Sequence, residues 1–489
     1  MKERLKTQAL VIGSGAGGAI TAAKLAEAGF AVLIVEEGTS VDKSGIPTHS
    51  PEAMRRWYRN NGLSPILGNV RIAFVEGRCV GGGTEINSAF WHRSMPQAIE
   101  RWRENYAIRD LTVEGMNELY PEIEKELNVS AGNSGQSPRS SELLRQGLEA
   151  LNWEFMEVPR AQNITGPGSP FVPGAKRSMS LTYIPRALQA GAVLLSNCRV
   201  VRIHHDGKKV SRVLAVATGD DGSRREIEIE AENVFVCGGA IQTPVLLRRS
   251  GIKKNIGNSL RIHPMIKVAA LFDEQLDSHL SALPVYQVTQ FWPDITIGGS
   301  VFTPGFLAMN LSENWEINQP QMKEWHKMAL YYVACCGTGK GIVRAFPGSG
   351  EAVGIYNLSK ADQIHLSRGM AHIGEVLFAA CAKRIFPSLR HPARIDSLAE
   401  SRQYMQRNIP FAEMSLSSVH VFSSCPMGEN LALCAADSFG RVHGFDNLYI
   451  ADASLIPDSP GVNPQGTVMA LALRDVNHFI AAGAKSGRE

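Results

Sequence analysis

The sequence predicts an α/β protein: a Rossmann-like nucleotide-binding domain built from discontinuous segments, joined to an α+β domain with an antiparallel sheet. Three observations carry this prediction. Within residues 9–36 a strand, a glycine-rich turn, a helix and a second strand follow one another. Further strand-to-glycine units recur far along the chain, at residues 234–239 and 448–461. Between these units lie two long insertions, and the second carries alternating, aromatic-rich runs bounded by Gly and Pro, the pattern of half-buried strands.

The first unit, ALVIGSGAGGAITAAKLAEAGFAVLIVEEG, reads as an apolar run to Ile12, a turn of small residues, a helix with Ala/Leu spacing from Ile20 to Ala28, and a β-branched run to Val35. Gly13, Gly15 and Gly18 have G-x-G-x-x-G spacing. The first glycine permits the tight turn, the second lets a pyrophosphate approach the backbone, and the third lets helix and sheet pack closely. The helix N-terminus then faces the anion. Glu36 ends the second strand, where a carboxylate accepts hydrogen bonds from ribose hydroxyls. NAD and FAD present the same ADP half to such a turn, so it does not choose between them.

Three more units follow. EGRCVGGGTEINSAFWHR supplies consecutive glycines, Gly81 to Gly83, and then Asn87; a backbone without side chains can lie flush against a flat or anionic group. VFVCGGAIQTPVLLRRSGI reads as a buried parallel strand at Val234 to Cys237, a turn at Gly238 and Gly239, and a helix that stops near Gly251. NLYIADASLIPDSPGVNPQGTVMALALRDVNHFI reads as a strand at Leu448 to Ala451, then Asp452, a Pro/Gly loop and an apolar helix from about Thr467. Four units spread over the whole chain imply one nucleotide domain assembled from distant segments.

In this order, GSGAGG with EEG, GRCVGGGTEIN, CGGAIQTPVLLRRSG, and HVFSSCPMG with ADASLIPDSPGVNPQGT resemble the glucose-methanol-choline (GMC) flavoprotein oxidoreductases, in their bacterial alcohol and cholesterol-oxidase-like branch. The resemblance implies FAD. Gly13, Gly15, Gly18 and Glu36 would hold its ADP half, while Gly82, Gly83 and Asn87 would lie along the pyrophosphate and flavin ring. Val201 would meet the adenine through its backbone. Asp452 would sit near the pyrophosphate and ribityl chain, the alternative being a helix-capping aspartate, and Gln465 completes the cofactor-binding set. Some members attach FAD covalently through a histidine just before the asparagine; Ile86 stands there, which implies non-covalent binding.

Oxidising an alcohol at a flavin requires removal of the hydroxyl proton and departure of hydride, and a histidine suits the first event. The family's motif H-x-x-G-T/S-x-x-M maps onto His420 to Met427, with Ser423 where glycine is usual. The second family position, histidine or asparagine, falls on Asn463, whose amide can aim the substrate oxygen without competing for its proton.

Motif positions divide the chain into an FAD-binding domain at residues 1–100, 192–265 and 420–489, and a substrate-binding domain at 101–191 and 266–419. The first insertion reads as helical, with a Gly/Pro loop from Ile164 to Ser178; the second reads as an antiparallel sheet followed by a helix from about Ala361 to Arg384. Of its aromatics, Phe291, Trp292, Phe302, Phe306, Tyr331 and Tyr332 are candidates for a pocket, and plain core is the more frequent use of such residues.

The 489 residues carry 50 Lys and Arg against 47 Asp and Glu, a net charge of +3 without long single-sign runs. This balance argues against nucleic acid or an anionic membrane as partner. The eight cysteines are scattered without a C-x-x-C pair and the histidines lack metal-ligand spacing, so no metal site and no disulfide framework is expected. The apolar strand begins at Ala9, leaving no room for a leader, and no stretch reaches membrane-span length; a cytoplasmic protein is expected.

The function implied is FAD-dependent oxidation of an alcohol to an aldehyde or ketone, with oxygen or another electron acceptor reoxidising the cofactor. The motifs leave open the alcohol, the oligomeric state and the distinction between oxidase and dehydrogenase. A lyase or light-driven decarboxylase on the same scaffold is the alternative, and retention of the His/Asn pair argues against it. A protein binding NAD(P) through the first unit alone is disfavoured by the three other glycine units.

Overall fold

The computed structural model describes residues 3–41, 46, 49–131, 137–163, 176–280 and 284–486. Most of the Gly/Pro loop expected between Ile164 and Ser178, through residue 175, lies outside the described residues.

Two large sheets organise the described residues. In the first, Val193–Leu195, Val32–Val35, Glu3–Ile12 and Arg224–Val236 run parallel, and Leu448–Ile450 adds parallel to the end of the last strand. The opening half of Arg224–Val236 pairs antiparallel with Val210–Thr218, which pairs with Cys198–His205. Burial along Glu3–Ile12 explains its composition: it alternates through ERLKTQ and is continuous through ALVI, as a strand covered first on one face and then on both requires.

Glycines bring distant segments together at the ends of these strands. Gly13 adopts a φ of 106°, and a Cβ there would overlap the carbonyl of Cys237. Along the helix Ala16–Glu27, a Cβ on Gly17 would overlap the carbonyl of Ala451, and one on Gly18 the carbonyl of Gly13. The helix can therefore settle on three strand ends drawn from the start, middle and end of the chain.

The second sheet is centred on Met265–Leu271, which pairs antiparallel with Met328–Cys335 in a register that sets Lys267 opposite Tyr332. Alternation splits its faces. Ile266, Val268, Ala270, Tyr331 and Val333 join a core with Met370 and Ile373 of the helix Lys360–Ala379. Met265, Lys267, Leu330 and Tyr332 look the other way, into a cavity.

Packing departs from the motif-based domain ranges at two places. Ser64–Leu67 and Arg71–Phe74 lie within residues 1–100 yet are strands of the second sheet. Conversely, Pro96–Asn105, Val113–Glu126 and Tyr183–Gln189 place Trp102, Tyr120, Ile123, Tyr183 and Ile184 in the core of the first sheet. Glycine motifs mark strand ends near a nucleotide, whereas apolar helix faces go wherever surface remains to be covered. The helix expected to reach Arg384 ends at Ala379, and Arg384–Pro387 is a strand.

These contacts predict unequal outcomes for two neighbouring glycines. Gly18→Ala should lower unfolding free energy in urea by about 1–3 kcal/mol, the usual cost of overpacking. Gly15, at φ −69° with nothing within 4 Å of an added Cβ, should lose less on substitution by alanine, under about 1 kcal/mol from the weaker N-cap alone. Equal losses would contradict the packing.

Candidate active site

A cavity of about 730 Å³ lies between the two sheets. Its nucleotide side is bare backbone: Gly15, Gly83 and Gly239 line it, and a Cβ on any of them would meet nothing within 4 Å. A cradle of this kind, opening at the N-termini of the helices Ala16–Glu27 and Gly239–Arg249, suits the phosphates of a dinucleotide. The residues present thus fit an FAD-sized group.

Of the sequence-predicted residues, Gly13, Gly15, Glu36, Gly82, Gly83 and Asn87 line this cavity, as do Asp452, Gln465, His420 and Asn463. Gly18 does not line it; it packs helix against strand, as its place in the motif requires. Cys198, Arg199 and Val200 line the cavity, and Val201 is the next residue of the same strand, Cys198–His205; a contact made through the Val201 backbone does not depend on the face its side chain takes.

Glu36 is buried. Its carboxylate accepts from Ser14 N at 3.0 Å, Ser14 Oγ at 2.7 Å and Gly38 N at 2.9 Å, so it pins the glycine turn to the second strand. Asp452 accepts from Gly239 N at 2.8 Å and from Ser454 N at 2.8 Å, and also from the Thr243 hydroxyl. It therefore serves as a cap while also facing the cavity. Burial raises the pKa of both carboxyls, and these donors oppose the rise. Asn87 Nδ2 donates to Gln465 Oε1 at 2.5 Å, tying the glycine loop to the first residue of the helix Gln465–Ser486. Arg59, which sequence reasoning missed, is buried between Glu37 at 2.8 Å and Glu76 at 2.9 Å; isolated charges along the sequence gave no signal of this network.

Across the cavity, His420 and Asn463 meet. Asn463 Nδ2 donates to His420 Nε2 at 3.1 Å, and His420 Nδ1 lies 3.0 Å from His263 Nδ1. His263 Nε2 is in turn 2.8 Å from Ser459 Oγ. The amide nitrogen is only a donor, so His420 Nε2 is the acceptor and the ring proton sits on Nδ1. That proton is donated to His263 Nδ1, which leaves His263 Nε2–H to donate to Ser459. One tautomer of each ring satisfies the whole chain.

Sequence reasoning missed His263. The signal was the alternation in HPMIK, which puts His263, Met265 and Lys267 on the cavity side. Ser423 explains its own departure from the motif. It has φ 68°, a left-handed conformation in which a non-glycine residue costs about 1–2 kcal/mol. Its buried hydroxyl offsets part of this by donating to the Pro457 carbonyl. Cys425 is fully buried, and burial pushes its thiol up to about 12, so it is a packing residue. Of the six candidate aromatics, Trp292, Phe306 and Tyr332 line the cavity, whereas Phe302 and Tyr331 are core.

Burial also keeps the imidazoles neutral. It lowers His263 to about 3, His49 to about 3 and His92 to about 4. His420 is held well below the usual histidine range, first by burial and then by the proximity of His263, His92 and Lys267, whose charged forms would oppose a second positive charge. A histidine with a depressed folded pKa gives up stability as pH falls below its unfolded value, because only the unfolded chain then binds the proton. The unfolding free energy of the wild type, measured against His92→Phe, should fall between pH 6.5 and pH 4 by up to about 1.4 kcal/mol per unit. A difference independent of pH would contradict the buried neutral form.

Among the described residues no helix is long and apolar enough to cross a membrane, and no group of His, Cys, Asp and Glu has metal-binding geometry. The eight cysteines are free.

Comparison with known proteins places this architecture. The chain is 40% identical to the uncharacterized GMC-type oxidoreductase y4nJ of Sinorhizobium fredii, over 99% of this chain and 96% of the relative. It is 26% identical to the long-chain-alcohol oxidase FAO1 of Arabidopsis thaliana, over 96% of this chain and 66% of that protein. Among solved structures, pyridoxine 4-oxidase from Mesorbium loti superposes with a TM-score of 0.73 at 17% identity, covering 97% of this chain and 99% of that one. A formate oxidase of Aspergillus oryzae, solved to follow the effect of a mutation on its FAD modification, gives a TM-score of 0.77 at 15% identity, covering 99% of this chain and 100% of that one. The GMC oxidoreductase family models match residues 7–265 and 355–472, and the chain therefore belongs to the GMC oxidoreductase family, an enzyme family of oxidoreductases.

Proposed function

We propose that this protein oxidises an alcohol to an aldehyde or ketone, using FAD held non-covalently in the cavity and His420 as the base. The observation that carries the reading is the 3.1 Å approach of Asn463 Nδ2 to His420 Nε2 at the cavity wall. A substrate hydroxyl inserted there would donate to the imidazole lone pair and accept from the amide. FAD, when bound, would supply the acceptor for hydride leaving the carbinol carbon. The names of related proteins, alcohol oxidases among them, support an alcohol as substrate.

His420 Nδ1 donates to His263 and so keeps its proton away from the reacting nitrogen. The depressed pKa leaves Nε2 unprotonated at neutral pH, ready to accept but weakly basic. Proton removal then becomes favourable only as the carbinol loses hydride and its oxygen becomes carbonyl-like. Asn463 holds the oxygen through that change, and the N-terminus of Gln465–Ser486, beside the same wall, favours negative charge nearby. Ile86 offers no nucleophilic atom to the cavity, which is the ground for non-covalent attachment. Oxygen or another acceptor would complete the cycle.

His420→Ala should retain the yellow flavin and slow its anaerobic reduction by alcohols about a thousandfold; undiminished reduction would refute the base. Asn463→Ala should slow the same step about a hundredfold. His263 acts through His420, so it is a positioning residue. His263→Phe should cost about tenfold in the wild-type background and nothing further in His420→Ala, as a coupled pair requires; additive losses would assign it a separate role.

A further inference from the structure

The substrate side of the cavity contains one lysine that the proposed chemistry leaves unused. Lys267 Nζ donates to Ser300 Oγ at 2.8 Å and lies 5.4 Å from the centroid of the Tyr332 ring. No carboxylate pairs with it among the described residues. The acidic residues lining the cavity are Glu36, Glu37, Glu76 and Asp452, each already engaged by partners on the nucleotide side. An ammonium taken out of bulk water without a counter-charge is costly, and such a group in a cleft marks a ligand site.

We propose that Lys267 receives the anionic group of the substrate, so that the alcohol oxidised is a carboxylate-bearing one, a hydroxy acid. This rests on the alcohol-oxidising reading above and names its substrate class. A single ammonium with a serine beside it, lacking a guanidinium fork or a nest of backbone donors, matches a monoanionic carboxylate better than a phosphate. The same wall has spare donors, since the buried atoms Ser417 Oγ and Trp292 Nε1 belong to cavity-lining residues and have no partner among the described residues. Ser417 stands opposite Met265, two residues before Lys267. Burial pulls the lysine down to about 8, so it is still cationic at neutral pH.

The geometry also sets a length. His263 touches the base, and Lys267 lies four residues further along the chain, at most roughly 13 Å away between Cα atoms were that stretch fully extended. A separation of that order fits a carboxylate several carbons from the reacting carbinol, as in an ω-hydroxy acid.

The test uses the flavin-loaded protein. Calorimetric titration with straight-chain alkanoates and with 1-alkanols of equal length should show the carboxylates binding at least about thirtyfold more tightly. Lys267→Met should abolish that preference and Lys267→Arg should retain it. Anaerobic flavin reduction should likewise favour ω-hydroxyalkanoates over matching alkanols, with an optimum at intermediate chain length. Equal binding of the two series, or a preference that survives Lys267→Met, would overturn the anion site even if alcohols bleach the flavin. Carboxylate binding that depends on Lys267, with no alcohol or hydroxy acid reducing the flavin, would leave the anion site standing as a ligand site and overturn both the alcohol chemistry and the hydroxy-acid substrate.

Discussion

An amide nitrogen and an imidazole nitrogen from separate loops approach to 3.1 Å at the wall of a nucleotide-sized cavity, and the rest of the architecture makes that approach possible. A short ribbon, Arg261–Ile262 against Val421–Phe422, carries His263 and His420 side by side. Asn463 is delivered by the loop that ends at the helix Gln465–Ser486. Each side chain is then fixed by a partner beyond it: Ser459 behind His263, and His263 behind His420. Such support matters because a site loose by even an ångström loses much of its effect.

The two sheets divide the work. The parallel sheet ends in glycines whose missing side chains let three distant strand ends converge, and this convergence creates a cradle lined by backbone. The second sheet offers one face to a helical core and the other to the cavity, so alternation along Met265–Leu271 and Met328–Cys335 decides which side chains a substrate can meet. Charge follows the same division, with acidic groups and the arginines that pair with them on the nucleotide side and Lys267 on the other. Neutral imidazoles stand between them because burial outweighs their affinity for protons.

Much of this was legible in the sequence because its causes are local. The glycine turn, the acid at the end of the second strand and the four glycine units each follow from backbone requirements that only certain residues meet; Asn463 falls within the last unit, and His420 within the separate motif HVFSSCPMG. What the sequence hid depends on register and on packing at long range. His263 and Lys267 reach the site only because their strand pairs as it does. The Arg59 network joins residues that no spacing connects. Sheet membership was hidden for a similar reason: Ser64–Leu67 and Arg71–Phe74 sit between nucleotide motifs yet belong to the other sheet, as strand pairing is not written in the motifs.

A crystal structure of the flavin-loaded protein with a slow alcohol substrate bound tests the central claim most directly. The account predicts the hydroxyl oxygen within hydrogen-bonding reach, about 2.6–3.2 Å, of both His420 Nε2 and Asn463 Nδ2, with the carbinol carbon facing the flavin ring. A hydroxyl bound elsewhere in the cavity, with those two nitrogens still bonded to each other, would contradict it.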